Sequence, residues 1–237
     1  MPSADSHGTA TPLSHSVRRH LRVDIVGYDA AIRQFIPGYD TMLVRAAAAV
    51  ASVAPALVLD LGAGTGALSE AILWHEGVGV VELVDVDPEM LSQARVRLKD
   101  HGDRVRFTLR SFADPIPSCD AVAASLSLHH IATLDAKAEI FRRVATALRP
   151  GGVLVNADVT MPAEGPDRDM AFRGWADHLV SSGIPEARAW KHFAEWASED
   201  TYFPLEEELR LLRAAGFDAR CDWQEGPSTV VVASLPG

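Results

Sequence analysis

The chain has 237 residues, 48% of them hydrophobic and 23% charged, the balance of an ordinary globular protein with room for one domain and an added cap. Its formal net charge of -10 speaks against a general nucleic-acid binder, which presents a basic face, and no nucleic-acid partner is expected. Two cysteines, Cys119 and Cys221, make neither a disulfide framework nor a metal cluster, so a reduced, cytoplasmic setting is the default reading.

In chain order, residues 1–16 are rich in Ser, Thr, Pro, His and Gly, lack an apolar stretch, and are expected to form a disordered leader. Residues 17 to about 35 read as one helix; Pro37-Gly38 breaks it, and Tyr39 to Val53 reads as a second, Ala-rich helix. The apolar run from Ala46 to Leu61 contains Pro55 and Asp60, so it reads as a helix end, a turn and a buried strand, and no membrane association is expected.

From residue 55 onward strands and helices alternate. Strands are predicted at 57–61, 79–84, 104–109, 120–125, 152–157, 217–222 and 229–234. The middle ones are apolar without clean two-fold alternation, as befits strands buried on both faces. Helices are predicted at 88–100, with Pro88 in the first turn, at 134–148, ahead of a turn at Pro150-Gly151-Gly152, and at 205–215, which Gly216 ends. The alternation predicts an α/β fold with a doubly wound, mostly parallel sheet. Only Gln224 to Ser228 separate the last two strands, which is too short for a crossover helix, so they should form an antiparallel hairpin. Residues 160–203 break the pattern with Phe172, Trp175, Trp190, Phe193, Trp196, Tyr202 and Phe203, and read as two inserted helices.

The first strand runs into a glycine turn, Gly62-Ala63-Gly64-Thr65-Gly66, with Asp60 two residues ahead of it. Such a turn lets backbone approach a ligand closely and aims helix N–H groups at it. The spacing D-x-G-x-G-x-G differs from the G-x-G-x-x-G of nicotinamide folds. An aspartate there repels a diphosphate but suits the ammonium and sulfonium of S-adenosylmethionine. Asp85 ends the second strand about 20 residues beyond the turn, the place for an acid that grips ribose hydroxyls. Asp87, before Pro88, reads as a helix cap. Val86 and Met90, beside Asp85, complete the predicted cofactor wall.

The stretches VLDLGAGTGALSE (58–70), VELVDVDPEML (81–91), SFADPIPSCDAVAASLSLHHI (111–131) and ALRPGGVLVNADV (147–159) follow one another as in class I S-adenosylmethionine-dependent methyltransferases, which the chain resembles over about residues 55–160. GFDARCDWQEGPSTVVVAS resembles the closing hairpin of that superfamily. The resemblance implies seven strands in the order 3-2-1-4-5-7-6 and S-adenosylmethionine as cofactor. It implies that Ser111-Phe112-Ala113 meets the adenine and that Ser125-Leu126 lies beneath the methionine part. FIPGYDTML (35–43) resembles a helical flap of relatives that include carboxy-S-adenosylmethionine synthases, with Tyr39 reaching over the cofactor. Residues 17–54 would then be a flap and 55–237 the core, with 160–203 a cap over the site.

His129-His130 follows the fourth strand, at the sheet edge where ligands bind, and either histidine is a candidate catalytic base. Asp158, at the end of the fifth strand, is a candidate to orient an acceptor. Adjacent histidines do not have metal-ligand spacing; a third ligand would have to come from Asp158, His178 or His192, and no metal is expected. Most of the tryptophans are expected to pack the insertion, with one or two aromatics facing a pocket. Glu206-Glu207-Glu208 reads as a charged opening turn. The expected activity is methyl transfer to a small-molecule substrate. Its rivals are a carboxy-S-adenosylmethionine synthase-like enzyme, an NAD-dependent oxidoreductase and a non-catalytic binder. A homodimer is compatible with the sequence.

Overall fold

The computed structural model describes residues 27–112 and 114–237. The expected leader, the first part of the helix predicted from residue 17, and Ala113 lie outside the described residues. Two helices open the description, α1 (Tyr28–Phe35) and α2 (Tyr39–Ala51). Between them Gly38 takes φ +62°, and a Cβ there would come within 2.7 Å of the Trp223 ring. The turn at Pro37-Gly38 is therefore fixed by packing as well as by propensity.

Seven strands follow: β1 (Leu57–Leu61), β2 (Val80–Asp85), β3 (Val105–Leu109), β4 (Cys119–Ser125), β5 (Leu148–Val159), β6 (Asp218–Glu225) and β7 (Ser228–Ser234). Their order is β3-β2-β1-β4-β5-β7-β6. All pairs are parallel except those of β7, which runs antiparallel to β5 and β6. The doubly wound α/β sheet and its closing hairpin are thus as predicted.

The burial explains the missing alternation. Along β1, Val58 faces a core built with Met42, Ala46 and Val50 of α2 and with α3 (Ala67–Leu73), while Leu59 and Leu61 face the opposite core. That second core is closed by Phe141 and Val144 of α5 (Leu134–Ala147) and Leu209 and Leu212 of α8 (Leu205–Ala214). Each such buried side chain contributes about 1.5–3 kcal/mol, so β1 is apolar on both faces. The polar exception, Asp60, is only 1% exposed. Helix α4 (Pro88–Arg97) starts at Asp87, whose Oδ1 accepts from the Glu89 N–H at 2.9 Å and the Met90 N–H at 3.4 Å. Asp87 is a cap, as its position ahead of Pro88 predicts.

One feature differs from the sequence reading, and another goes beyond it. The turn at Pro150-Gly151-Gly152 is absorbed into β5, which starts at Leu148. Its pairing with β4 slips between Cys119 and Ala121, and Gly151 sits at φ +75°. A strand with such an irregularity accommodates a proline and glycines. The acidic run at 206–208 opens α8, as read, but its last member does not face solvent. Glu208 is buried, ion-paired with the buried Lys137 of α5, and accepts from Asn156 Nδ2 at 3.3 Å. Burial pushes its carboxyl upward even with Lys137 beside it.

The aromatic segment forms α6 (Pro166–Ser181) and α7 (Glu186–Trp196). Trp175 is 1% exposed and packs against Phe193, Trp196 and Tyr202 with ring centroids 4.9–5.7 Å apart. Its Nε1 donates to the Phe35 carbonyl at 2.6 Å, tying this segment to the end of α1. Among the described residues no helix is long and apolar enough to cross a membrane.

Candidate active site

A cavity of about 770 Å³ opens at the carboxyl ends of β1, β2 and β4 and is roofed by α1, the start of α2 and the aromatic segment. Of the predicted cofactor residues, Tyr39, Asp60, Gly62, Ala63, Gly64, Thr65, Asp85, Val86, Met90, Ser111, Phe112, Ser125 and Leu126 line it. Gly66 does not. It has φ +80°, and a Cβ there would lie 3.1–3.2 Å from Leu83, Ala94 and Leu98, so it lets the turn close against β2 and α4.

The glycines of the turn have different roles. Gly62 has φ +69°, and a Cβ would collide with Ser127 Cβ at 2.5 Å; Gly64 has φ +55° and open space within 4 Å. Opposite the turn, Leu126 takes φ +51°, a left-handed conformation that a leucine adopts at a cost of about 1–3 kcal/mol. Its N–H is held by the Ala157 carbonyl at 2.9 Å, and Ser127 Oγ donates to the Leu61 carbonyl at 2.7 Å. The strain places the backbone of residues 125–127 against the glycine turn.

The two predicted carboxylates reach this half of the cavity from adjacent strands. Asp60 Oδ2 accepts from Ser69 Oγ at 2.6 Å, while Oδ1 is buried with no hydrogen-bond partner among the described residues. Burial pushes the carboxyl up to about 7, against the Ser69 hydrogen bond, with the Asp85 charge adding to the rise. Asp85 accepts from the Gly64 N–H at 2.7 Å and the Asp87 N–H at 2.8 Å. Burial raises its carboxyl too. A buried acceptor without a donor, a carboxylate at a strand end and clear space above Gly64 fit an ammonium- and ribose-bearing ligand. They do not suit a diphosphate, which would meet two carboxylates. S-adenosylmethionine thus fits the residues present, and the NAD alternative does not.

The other half holds the histidines. His129 and His130 lie on a 3-10 turn, Leu128–His130, after β4, and both line the cavity. Asp158 does not line it; it is fully buried behind His129. Its Oδ1 lies 2.6 Å from His129 Nδ1, and its Oδ2 accepts from the His129 N–H at 3.1 Å. Burial pulls the His129 imidazole down, but Asp158 and Asp200 outweigh it and hold the ring above its ordinary value. Burial likewise works against Asp158, yet His129 and then Lys137 hold its carboxyl below the usual range.

Sequence reasoning missed Asp200 and Tyr28. Asp200, just beyond the aromatic helices, lines the cavity with its Oδ1 3.1 Å from His130 Nδ1 and 3.6 Å from His129 Nε2. Tyr202 donates to its Oδ2 at 2.6 Å, and the Thr201 N–H donates to the His129 carbonyl at 2.8 Å. The partner that meets the histidine pair is therefore Asp200 in addition to Asp158, and neither His178 nor His192 is among the lining residues. Tyr28 enters the cavity from α1, where the neighbouring Asp29 accepts from Thr65 Oγ1 at 2.7 Å and pairs with Arg97. Trp175 and Trp196 face the cavity, and Trp190 does not. No local signal marks Asp200 or Tyr28 as site residues.

This strand order with this pair of carboxylates is similar to that of S-adenosylmethionine-dependent methyltransferases, and the comparisons support a methyltransferase that uses S-adenosylmethionine as cofactor. Residues 59–154 match the methyltransferase domain family. An uncharacterized methyltransferase of Geobacillus sp. (strain WCH70) is 28% identical over 200 residues, which cover 81% of this chain and 82% of the relative. A carboxy-S-adenosyl-L-methionine synthase of Pseudomonas putida is 27% identical over 219 residues, 86% of this chain and 87% of that one. The solved structure of an O-methyltransferase family protein from Burkholderia thailandensis superposes with a TM-score of 0.66 at 18% identity. That superposition covers 92% of this chain but only 62% of the solved chain, so the likeness is one of fold.

Proposed function

We propose that this enzyme methylates a small organic acceptor held in the half of the cavity walled by Ile32, Phe35, Trp175, Trp196 and the histidine pair. The observation that carries the reading is that one cavity of about 770 Å³ joins the Asp60–Asp85 end to this aromatic wall. The volume suits a small ligand beside the cofactor, and the lining combines apolar surface with a few convergent polar groups. When bound, S-adenosylmethionine supplies an activated methyl group on a sulfonium centre. Asp60 would hold its ammonium, Asp85 its ribose hydroxyls, and Ser111 and Phe112 its adenine.

The chain's own work is then positioning and exclusion of water. His129 and His130 give the acceptor half a polar wall against which a heteroatom is oriented. Asp158 acts through His129, fixing its ring by the bond at Nδ1. Residues 27–54, the described part of the expected 17–54 flap, and residues 160–203 would act as flap and cap over both ligands. The net charge of -10 disfavours nucleic acid, and a cytoplasmic, small-molecule enzyme is the reading that follows.

A panel of phenols, amines, thiols and carbon acids, assayed by mass spectrometry for methylated product and S-adenosylhomocysteine, tests the proposal. Tight binding of NADH in place of S-adenosylhomocysteine would overturn it. The Pseudomonas relative favours a second reading, carboxy-S-adenosylmethionine synthesis. Against it, the only arginines on the cavity wall among the described residues, Arg110 and Arg143, stand on the same side as Ser111 and Phe112, and Arg143 donates to the Asp114 carbonyl. Mass spectrometry of the ligand that copurifies separates the two, since a carboxylated cofactor would displace the first reading.

A further inference from the structure

We infer that His129, His130 and Asp200 form a binding site for one divalent transition-metal ion on the acceptor side of the cavity. The inference deepens the proposed methyl transfer and rests on it for the acceptor's role, but the binding of the ion stands on geometry alone. One nitrogen of each histidine and one oxygen of Asp200 lie within 4.8 Å of one another. Asp200 Oδ1 is 3.1 Å from His130 Nδ1 and 3.6 Å from His129 Nε2. Those are the separations of ligand atoms that share one ion at bond lengths of about 2.0–2.2 Å.

The groups behind two of the three ligands, His129 and Asp200, are arranged as metal ligands require. His129 gives its Nδ1 to Asp158 at 2.6 Å, which leaves Nε2 as the nitrogen turned to Asp200. A carboxylate on the far nitrogen of a ligating histidine is the usual support of such a ligand. Asp200 is fixed in turn through Oδ2 by the Tyr202 hydroxyl at 2.6 Å. Two imidazoles and one carboxylate suit zinc, iron, cobalt or nickel rather than magnesium or calcium. Three protein ligands leave coordination positions open, and all three residues line the cavity. The acceptor such a site would take carries an oxygen donor, as a phenol, an enol or a hydroxy acid does.

The test uses the untagged full chain, stripped with a chelator and titrated with Zn2+ by calorimetry and with Co2+ by visible absorption. One equivalent of each, with ligand-field bands from Co2+, is the expected result. Asp200→Ala and His130→Ala should lose stoichiometric binding, and Asp158→Asn should weaken it about 10–100-fold. S-adenosylhomocysteine binding in each variant reports that it is folded. A readout free of substitution is modification of the wild-type histidines by diethyl pyrocarbonate, which Zn2+ should slow at His129 and His130. Less than one equivalent in the wild type, unchanged affinity in folded variants, or modification indifferent to Zn2+ overturns the site and leaves the cluster as a proton-holding one. Loss of S-adenosylhomocysteine binding by the wild type would instead sink the methyltransferase reading and leave the metal result standing.

Discussion

The two halves of the cavity are built by different means. The cofactor half is made of backbone and of carboxylates on adjacent parallel strands. Most of its parts come from residues 60–65 and 85–90, joined by Tyr39, Ser111, Phe112, Ser125 and Leu126, and much of its geometry is glycine conformation and strand register. The acceptor half is made of side chains from distant places: His129 and His130 after β4, Asp158 at the end of β5, Asp200 and Tyr202 beyond α7, and Phe35 from α1. The difference teaches that a shared cofactor needs a short, local frame. An individual acceptor is met by parts that only the folded chain assembles.

The largest effect is expected at the acceptor wall. Trp175→Ala removes a buried ring packed on three aromatics and the hydrogen bond to Phe35, and should cost about 3–5 kcal/mol in chemical denaturation. If the halves are separate, the folded variant should still bind S-adenosylhomocysteine in calorimetry; equal loss of both would break the distinction. The glycine turn should respond next. Gly62→Ala forces a Cβ against Ser127 and should destabilise by about 2–3 kcal/mol. Gly64→Ala meets only open space, so its stability cost should stay near ~1 kcal/mol while cofactor affinity falls more steeply than in a surface control.

Asp85→Ala should weaken S-adenosylhomocysteine by roughly 10–100-fold through lost hydrogen bonds to a charged group, and should also cost about 1–3 kcal/mol of stability because the Gly64 and Asp87 N–H groups lose their acceptor. A pH series sharpens the contrast. Asp60 titrates near about 7 in the ligand-free chain, and its charged form is the one that holds an ammonium. Affinity should therefore rise about tenfold from pH 6 to pH 8, and Asp60→Asn should flatten the profile. The pair in the acceptor half behaves differently. The stabilisation from Asp158 is present above the ordinary carboxylate range and lost as pH falls through its lowered value. That from His129 is full below its ordinary value and lost as pH rises through the raised one. The smallest effect is expected at Arg142→Ala, which removes an exposed pair with Glu139 and should change stability by less than about 0.5 kcal/mol.

Much of the fold was legible because its signals are local. Apolar runs marked the strands, Asp87-Pro88 marked the start of α4, and the short Gln224–Ser228 linker marked the hairpin. The misses have physical causes. Pro150-Gly151-Gly152 has turn chemistry, but the register slip at β4 lets it continue as strand. Glu208 sits in an acidic run, yet helix geometry turns it inward to Lys137. Gly66 carries the glycine spacing of the loop but packs against β2 and α4.

The sequence by itself determined the glycine turn and the two acids beside it, because glycine conformation sets the turn and strand register sets where Asp60 and Asp85 stand. Tertiary structure alone decided which groups meet the histidines. Asp158 and Asp200 are brought to His129 and His130 from β5 and from beyond α7 by the packing of the sheet and the aromatic segment. No spacing along a chain encodes contacts between residues about 30 and about 70 apart.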